Sequence, residues 1–305
     1  MRVMGSYPST PPPDPELVRA DPDVEPQILP PGSGYTVHPQ PARRRPFWVS
    51  SPATYLLVGI NCAVYLGMVV QAKSVGMPTV NQVLNWGADN AGDVLISGQW
   101  WRIVTAMFVH VGFLHIALNM WCLWNLGLLA EPLMGSVGVF AVYILTGAAG
   151  NLLSTLKGWY SFHAVWEAYH AAGGLDPSVV FPAGAGASGA VFGIAGALIV
   201  LLKSHRLPVP PFELKRLRRS VIYFAAINLV LGFGISAGAS LTQSGLRIDN
   251  MAHLGGFASG LLFAAPMVPR LGSPREMFQS RLRVAVAMTV GVLVLFGFFI
   301  VKFAG

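Results

Sequence analysis

The chain is poor in charge. Only 11% of its 305 residues are Asp, Glu, Lys or Arg, against about 25% in an ordinary soluble domain. That shortage excludes a water-facing surface around the whole molecule. Cysteine is scarce as well: the two present, Cys62 and Cys122, both lie inside apolar runs. They make neither a disulfide framework nor a zinc site and read as small buried hydrophobes. Acidic residues are outnumbered by basic ones, 13 to 20, giving a formal charge of +7. In so apolar a chain this excess does not mark a nucleic-acid partner; basic residues mark the cytoplasmic side of a membrane protein. What the sequence has in quantity is apolar surface, with 53% hydrophobic residues and a mean hydropathy of +0.56. These numbers predict a polytopic membrane protein whose partner is the lipid bilayer.

Residues 1–46 stand apart. Pro11-Pro12-Pro13 and Pro30-Pro31-Gly32 break any regular element, and the segment has too little apolar surface to fold. No apolar core follows a basic start, so it is not read as a signal peptide. It reads as a disordered cytoplasmic tail ending in Arg43-Arg44-Arg45. A helical core is expected over 47–270, and a basic loop with a last transmembrane helix over 271–305.

Seven apolar runs follow, near 53–71, 112–130, 137–156, 188–203, 219–238, 249–267 and 284–303. Each approaches the roughly 20 residues of a spanning helix. The expected fold is therefore all-α, a polytopic membrane helical bundle. Arg43 to Arg45, the Lys203–Arg219 stretch and the Arg270–Arg283 stretch carry most of the basic residues. They share one side only if the N-terminus is cytoplasmic and the C-terminus outside. Tryptophans in the outer loops 72–111 and 157–187 suggest interfacial elements there.

Polar residues occur where lipid should exclude them. The second run carries His115 and Asn119, four apart and so on one helical face. The sixth carries His253. The fourth opens with Gly186-Ala187-Ser188-Gly189 after a glycine- and alanine-rich lead. Taken alone, Ser188 is as well explained by helix packing as by chemistry. The fourth run is short, so its start lies below the outer rim, at the depth of both histidines. Small residues recur every four positions as Ala252, Gly256, Gly260 and Ala264, and as Gly189, Gly193 and Ala197. Such faces allow close backbone approach.

With these residues assembled, the chain resembles the rhomboid family of intramembrane serine proteases over roughly 53–267. Trp101-Arg102 resembles the family's Trp-Arg pair in the first outer loop. His115 and Asn119 resemble its His-x-x-x-Asn, Gly186-Ala187-Ser188-Gly189 its Gly-x-Ser-Gly, and Ala252-His253-Leu254-Gly255-Gly256 its histidine-glycine segment. The seventh run fits a six-plus-one arrangement. The resemblance implies a serine endopeptidase with Ser188 as nucleophile and His253 as general base. His115, Asn119 and the Ser188 N–H would form the oxyanion hole, and Phe192 would stack on His253. No metal or organic cofactor is implied, and the substrates would be transmembrane segments of other proteins. Access would be by way of the fifth helix and the loop 239–248. Apart from the resemblance, the Pro- and Arg-rich composition and the expected absence of a targeting peptide suggest a bacterial plasma membrane. Inactive relatives that act as membrane-protein chaperones or trafficking factors typically lack the serine or the histidine; this chain has both.

Other polar residues have simpler readings. Asp249, one turn before His253, is expected to face outer water. His110 is expected to be a structural hydrogen-bond partner, and Arg102 a loop anchor on backbone carbonyls. His163, Glu167 and His170 share a helical face but lack the metalloprotease order. Asn61, Asn125, Asn151 and Asn228 are expected to bond between helices.

Overall fold

A computed structural model describes residues 51–72, 78–204, 207, 209–242, 249–270 and 274–304, without the side chains of 231–242, 269–270, 275 and 304. The tail 1–46 and the loop residues 243–248 lie outside that set. The longer helices are α1 (Pro52–Ala72), α5 (Phe113–Ala171), α6 (Ser188–Leu201), α7 (Pro211–Thr242), α8 (Asn250–Ala264) and α9 (Arg275–Ala304). Three short helices, α2 (Val80–Asn85), α3 (Ala91–Leu95) and α4 (Arg102–Thr105), fold the first long loop. Helices cover all seven apolar runs, and the fold is all-α and polytopic. Among the described residues, α1, α5, the stretch Asn250–Val268 and Glu276–Phe303 are long and apolar enough to cross a membrane.

The second and third runs are not separated by a loop. They form α5, interrupted at Gly135, whose φ of 73° leaves helical space. A Cβ there would meet nothing within 4 Å; glycine is needed for the backbone conformation, which L side chains rarely adopt. Each half of α5 exceeds the length of a crossing. The second half also runs on to Ala171, so much of the loop expected at 157–187 is a continuing helix. Its tryptophans are covered by protein: Trp159 and Trp166 are buried, and Trp159 stacks flat on Phe181 at 5.8 Å, while Tyr160 is exposed. Similarly α7 reaches Thr242, so the first part of the loop expected at 239–248 is helical.

Helix α1 is anchored at its start by a residue far along the chain. The buried carboxylate of Glu131, on the first half of α5, accepts from the Ala53 and Thr54 N–H groups, both at 2.9 Å, and from Thr54 Oγ1 at 2.6 Å. It satisfies two of the donors that every helix start leaves open, and its negative charge suits the positive end of the helix dipole.

Helix α6 is the centre of the bundle. Residues Gly189 to Leu198 are all buried, as expected for a helix apolar on every side. A Cβ on Gly256 or Gly260 of α8 would lie 2.0 Å from the carbonyl oxygen of Gly189 or Gly193. The two backbones are thus in direct contact along the small faces. Gly150 of α5 sits equally close to α8, its absent Cβ 2.5 Å from Ala252 O.

Two expectations need correction. Cys62 is exposed, on an outward helix face that lipid would cover, and Cys122 is only partly buried, at the edge of the core. Of the four asparagines, Asn61 bonds across to the Tyr143 hydroxyl at 2.9 Å and Asn151 to Ile103 O at 2.8 Å. Asn125 and Asn228 instead donate to carbonyls one turn back on their own helices.

Candidate active site

The lead into α6 is held from two sides. A two-residue antiparallel ladder pairs β1 (Asp89–Asn90) with β2 (Ala183–Gly184), Asp89 opposite Gly184. Two residues carry no readable period, and sequence reasoning missed the ladder. Further on, Gly186 N–H donates to Ala106 O at 2.9 Å. Gly186 has φ +130°, and a Cβ there would lie 2.6 Å from Cε1 and 2.9 Å from Nε2 of His115. Backbone and space both demand glycine, and the same contact places the His115 ring two residues before Ser188.

His110 is fully buried beneath this run. Its Nδ1 faces Phe108 O at 3.3 Å, and its Nε2 accepts the Ala187 N–H at 3.4 Å. Burial, aided by the neighbouring His115, pushes its pKa down to about 3. A neutral ring has one donor and one acceptor nitrogen, which is what these two contacts use.

Ser188 is the first residue of α6 and His253 lies in the first turn of α8. His253 Nε2 sits 2.8 Å from Ser188 Oγ. On its other side the buried Phe192 ring, one turn after Ser188, stacks on the imidazole at 4.3 Å and 11°. Phe224 of α7 backs Phe192 at 6.2 Å; it was not singled out in the sequence, where it is one phenylalanine among 17. His253 Nδ1 is buried without a hydrogen-bond partner, so no carboxylate completes a triad. Asp249, expected to face outer water, is only partly exposed and is engaged by protein. Its Oδ1 caps α8 by accepting from Ala252 N–H at 3.0 Å, and its Oδ2 accepts from the Ser154 hydroxyl. An acid at a helix start gains more from the open N–H groups than from solvent.

Asn119 is buried one turn beyond His115, and its amide donates to His115 O at 3.0 Å. The second N–H of that amide remains for another acceptor. His115 Nδ1 is likewise buried without a partner. Trp101 and Arg102 stand outside this cluster. The Arg102 guanidinium donates to Leu84 O at 2.7 Å, Ala88 O at 2.9 Å and Gln99 Oε1 at 2.8 Å, and pairs with Asp93 at 3.4 Å. It also lies over the Trp101 ring at 4.7 Å. This is the anchor of the first loop. His163 and Glu167 pair with each other at 3.3 Å, and His170 faces Gly174 O at 3.0 Å.

The sequence is similar to those of known proteins. Residues 97–270, more than half of the chain, fit the family model described as the Rhomboid domain. The chain belongs to the rhomboid family. It is 29% identical over 244 residues to rhomboid protease GluP of Bacillus subtilis, covering 79% of this chain and 39% of that one. It is 30% identical over 238 residues to rhomboid protease AarA of Providencia stuartii, covering 73% and 78%. RHOMBOID-like protein 9, chloroplastic, of Arabidopsis thaliana is 28% identical over 229 residues, covering 72% and 44%. The chain thus spans less than half the length of the first and third relatives and over three quarters of the second. As a rhomboid it is an integral, multi-pass membrane protein, and its bacterial relatives are proteases.

Proposed function

We propose that the protein is an active intramembrane serine endopeptidase acting on transmembrane segments through a Ser188–His253 dyad. The 2.8 Å contact between His253 Nε2 and Ser188 Oγ carries this reading. It is the reach required for proton transfer from a nucleophile to its base. In the acylation step Ser188 Oγ attacks the scissile carbonyl while its proton passes to His253 Nε2. The tetrahedral intermediate collapses as His253 returns that proton to the leaving amine. Water then repeats the sequence on the acyl-enzyme.

The oxyanion would be received by the Ser188 N–H, by the free N–H of Asn119 and by a His115 ring nitrogen. The first N–H groups of α6 have no intrahelical acceptor, so they are open to a developing negative charge. Phe192 would hold the imidazole plane in place of a third acid. His110 and Gly186 would keep the Ala187–Ser188 peptide in register, and Arg102 would fix the loop that carries β1. No metal or organic cofactor enters these steps. A substrate helix must unwind to expose a peptide bond, so helix-weakening residues near its outer end would favour cleavage. The route in would pass α7 and the segment after it.

The remaining assignments follow. The catalytic core spans 47–270, the tail 1–46 lies in the cytoplasm, and 271–305 adds the seventh helix. The dyad faces the outer side, the C-terminus is outside, and a bacterial plasma membrane suits the loop charges. The test is cleavage of a reporter transmembrane substrate in proteoliposomes. Wild type is expected to cleave, and folded Ser188→Ala and His253→Ala to lose all measurable cleavage. Undiminished cleavage by Ser188→Ala would end the reading; a wild type that binds the reporter without cutting it would point to a chaperone-like relative.

A further inference from the structure

Two carboxylates outside the dyad, the buried Asp89 and the partly buried Asp249, lie next to the run that leads to Ser188. Asp89 is 3% exposed, and its two oxygens face Thr155 Oγ1 at 3.1 and 3.0 Å. Asp249 is held by the hydroxyl of Ser154, the preceding residue on the same helix. The position of an absent Cβ on Gly184 lies 3.6 Å from Asp249 Oδ2 and 3.7 Å from Asp89 Cβ. One turn of α5 therefore grips both acids, and both border the space that a side chain on Gly184 would fill.

Each acid is tied to a different half of the dyad. Asp89 pairs through its backbone with Gly184, four residues before Ser188. Asp249 caps α8 at Ala252 N–H, and its carbonyl accepts the His253 N–H at 3.2 Å. We infer that Asp89, Ser154, Thr155 and Asp249 form a clasp that sets the position of Ser188 against His253, with Asp89 a positioning residue whose proton keeps the clasp closed. This rests on the proposed dyad for its catalytic consequence, and on the contacts above for its existence.

The proton matters because of what faces Asp89. Asp249 faces it from the start of α8, Arg102 from α4, the Thr155 hydroxyl from α5, and the Asn90 backbone from β1 itself. Burial, reinforced by the Asp249 charge, pushes the Asp89 carboxyl up to about 7; Thr155, the Asn90 backbone and Arg102 pull the other way without offsetting it. Protonated, Asp89 sits beside a single negative charge. Ionised, it places a second one across Gly184, and the burial of Asp89 limits how far water screens the repulsion. The least restrained response is displacement of Asp249 from its cap, which shifts the first turn of α8 and the imidazole on it.

The experiment uses the full chain in micelles with the reporter substrate, and reads kcat and KM from about pH 5.5 to 8.5. In wild type kcat is expected to fall as pH rises through about 7, with KM little changed. Asp89→Asn cannot ionise and can still bond Thr155, so it should fold and lose that falling limb. Ser154→Ala, which frees one side of Asp249, should lower kcat by roughly tenfold with KM unchanged, an effect of about 1.4 kcal/mol. A second readout needs no catalysis: the Ala252 amide resonance in protein labelled with nitrogen-15 at alanine only, assigned by its loss in Ala252→Gly. It should move with a midpoint near 7 in wild type and in Ser188→Ala, and stay still in Asp89→Asn. A resonance that does not move, or an Asp89→Asn profile identical to wild type, overturns the clasp even where cleavage is intact. Movement of the resonance without any cleavage supports the clasp and overturns the protease reading instead.

Discussion

Gly256 and Gly189 meet backbone to backbone: a Cβ on Gly256 would lie 2.0 Å from the Gly189 carbonyl oxygen. That contact brings α8 close enough to α6 for an imidazole and a hydroxyl to bond. Gly256→Ala must push the helices apart, since the obstacle is backbone and cannot rotate away. Overpacking of this kind costs about 1–3 kcal/mol. The expected result is a lower thermal midpoint and at least a tenfold loss of cleavage. Gly291→Ala on α9 is the control: nothing lies within 4 Å of its absent Cβ, and both quantities should hold.

Phe192→Ala removes the surface on which His253 lies at 4.3 Å. Aromatic pairs contribute about 0.5–1.5 kcal/mol beyond burial. With the imidazole free to turn, kcat should fall by roughly tenfold while KM changes little, because Phe192 acts on the base. Steady-state kinetics on the folded variant decide this. An unchanged kcat would mean that packing elsewhere orients the ring.

Glu131→Ala leaves the start of α1 without acceptors for the Ala53 and Thr54 N–H groups. Hydrogen bonds to a buried charge contribute about 1.5–3 kcal/mol each. A loss of several kcal/mol and poor recovery of folded protein are expected. Glu131→Gln keeps one acceptor oxygen and should fall between the two in a thermal melt.

How much of this was readable in the sequence depends on range. The four-residue spacing of glycine and alanine in Gly189, Gly193, Gly256 and Gly260 encodes the α6–α8 contact, and with it the meeting of Ser188 and His253. The break between the second and third runs was legible, but its form was not, because no polar loop accompanies it: a single glycine with positive φ interrupts the helix. The run of α5 to Ala171 was hidden because its cover comes from Phe181, which has no local signature. Glu131 had a signal, an acid at the end of an apolar run, that passed unused. Asp249 was misassigned because capping and solvation make the same demand on a sequence, and only the fold decides which is met.

Stability should depend on pH through Asp89. Its folded pKa, near 7, lies above the unfolded value of 3.8, so the native state holds a proton that the unfolded chain releases. Stability is then greatest below about 4 as far as this group is concerned, declines as pH rises to about 7, and is flat beyond. The full decline is on the order of 4 kcal/mol. Asp89→Asn should remove that slope in denaturant titrations run between these pH values. A slope retained in the variant would assign it to another group.

The most direct test of the central claim is covalent labelling of the nucleophile. A fluorophosphonate probe, which reacts with a serine only where a base activates its hydroxyl, is applied to the protein in micelles and the adduct mapped by mass spectrometry. A single adduct on Ser188, lost in His253→Ala while the fold is retained, is the predicted result. No adduct on Ser188, or one that survives His253→Ala undiminished, would contradict the account.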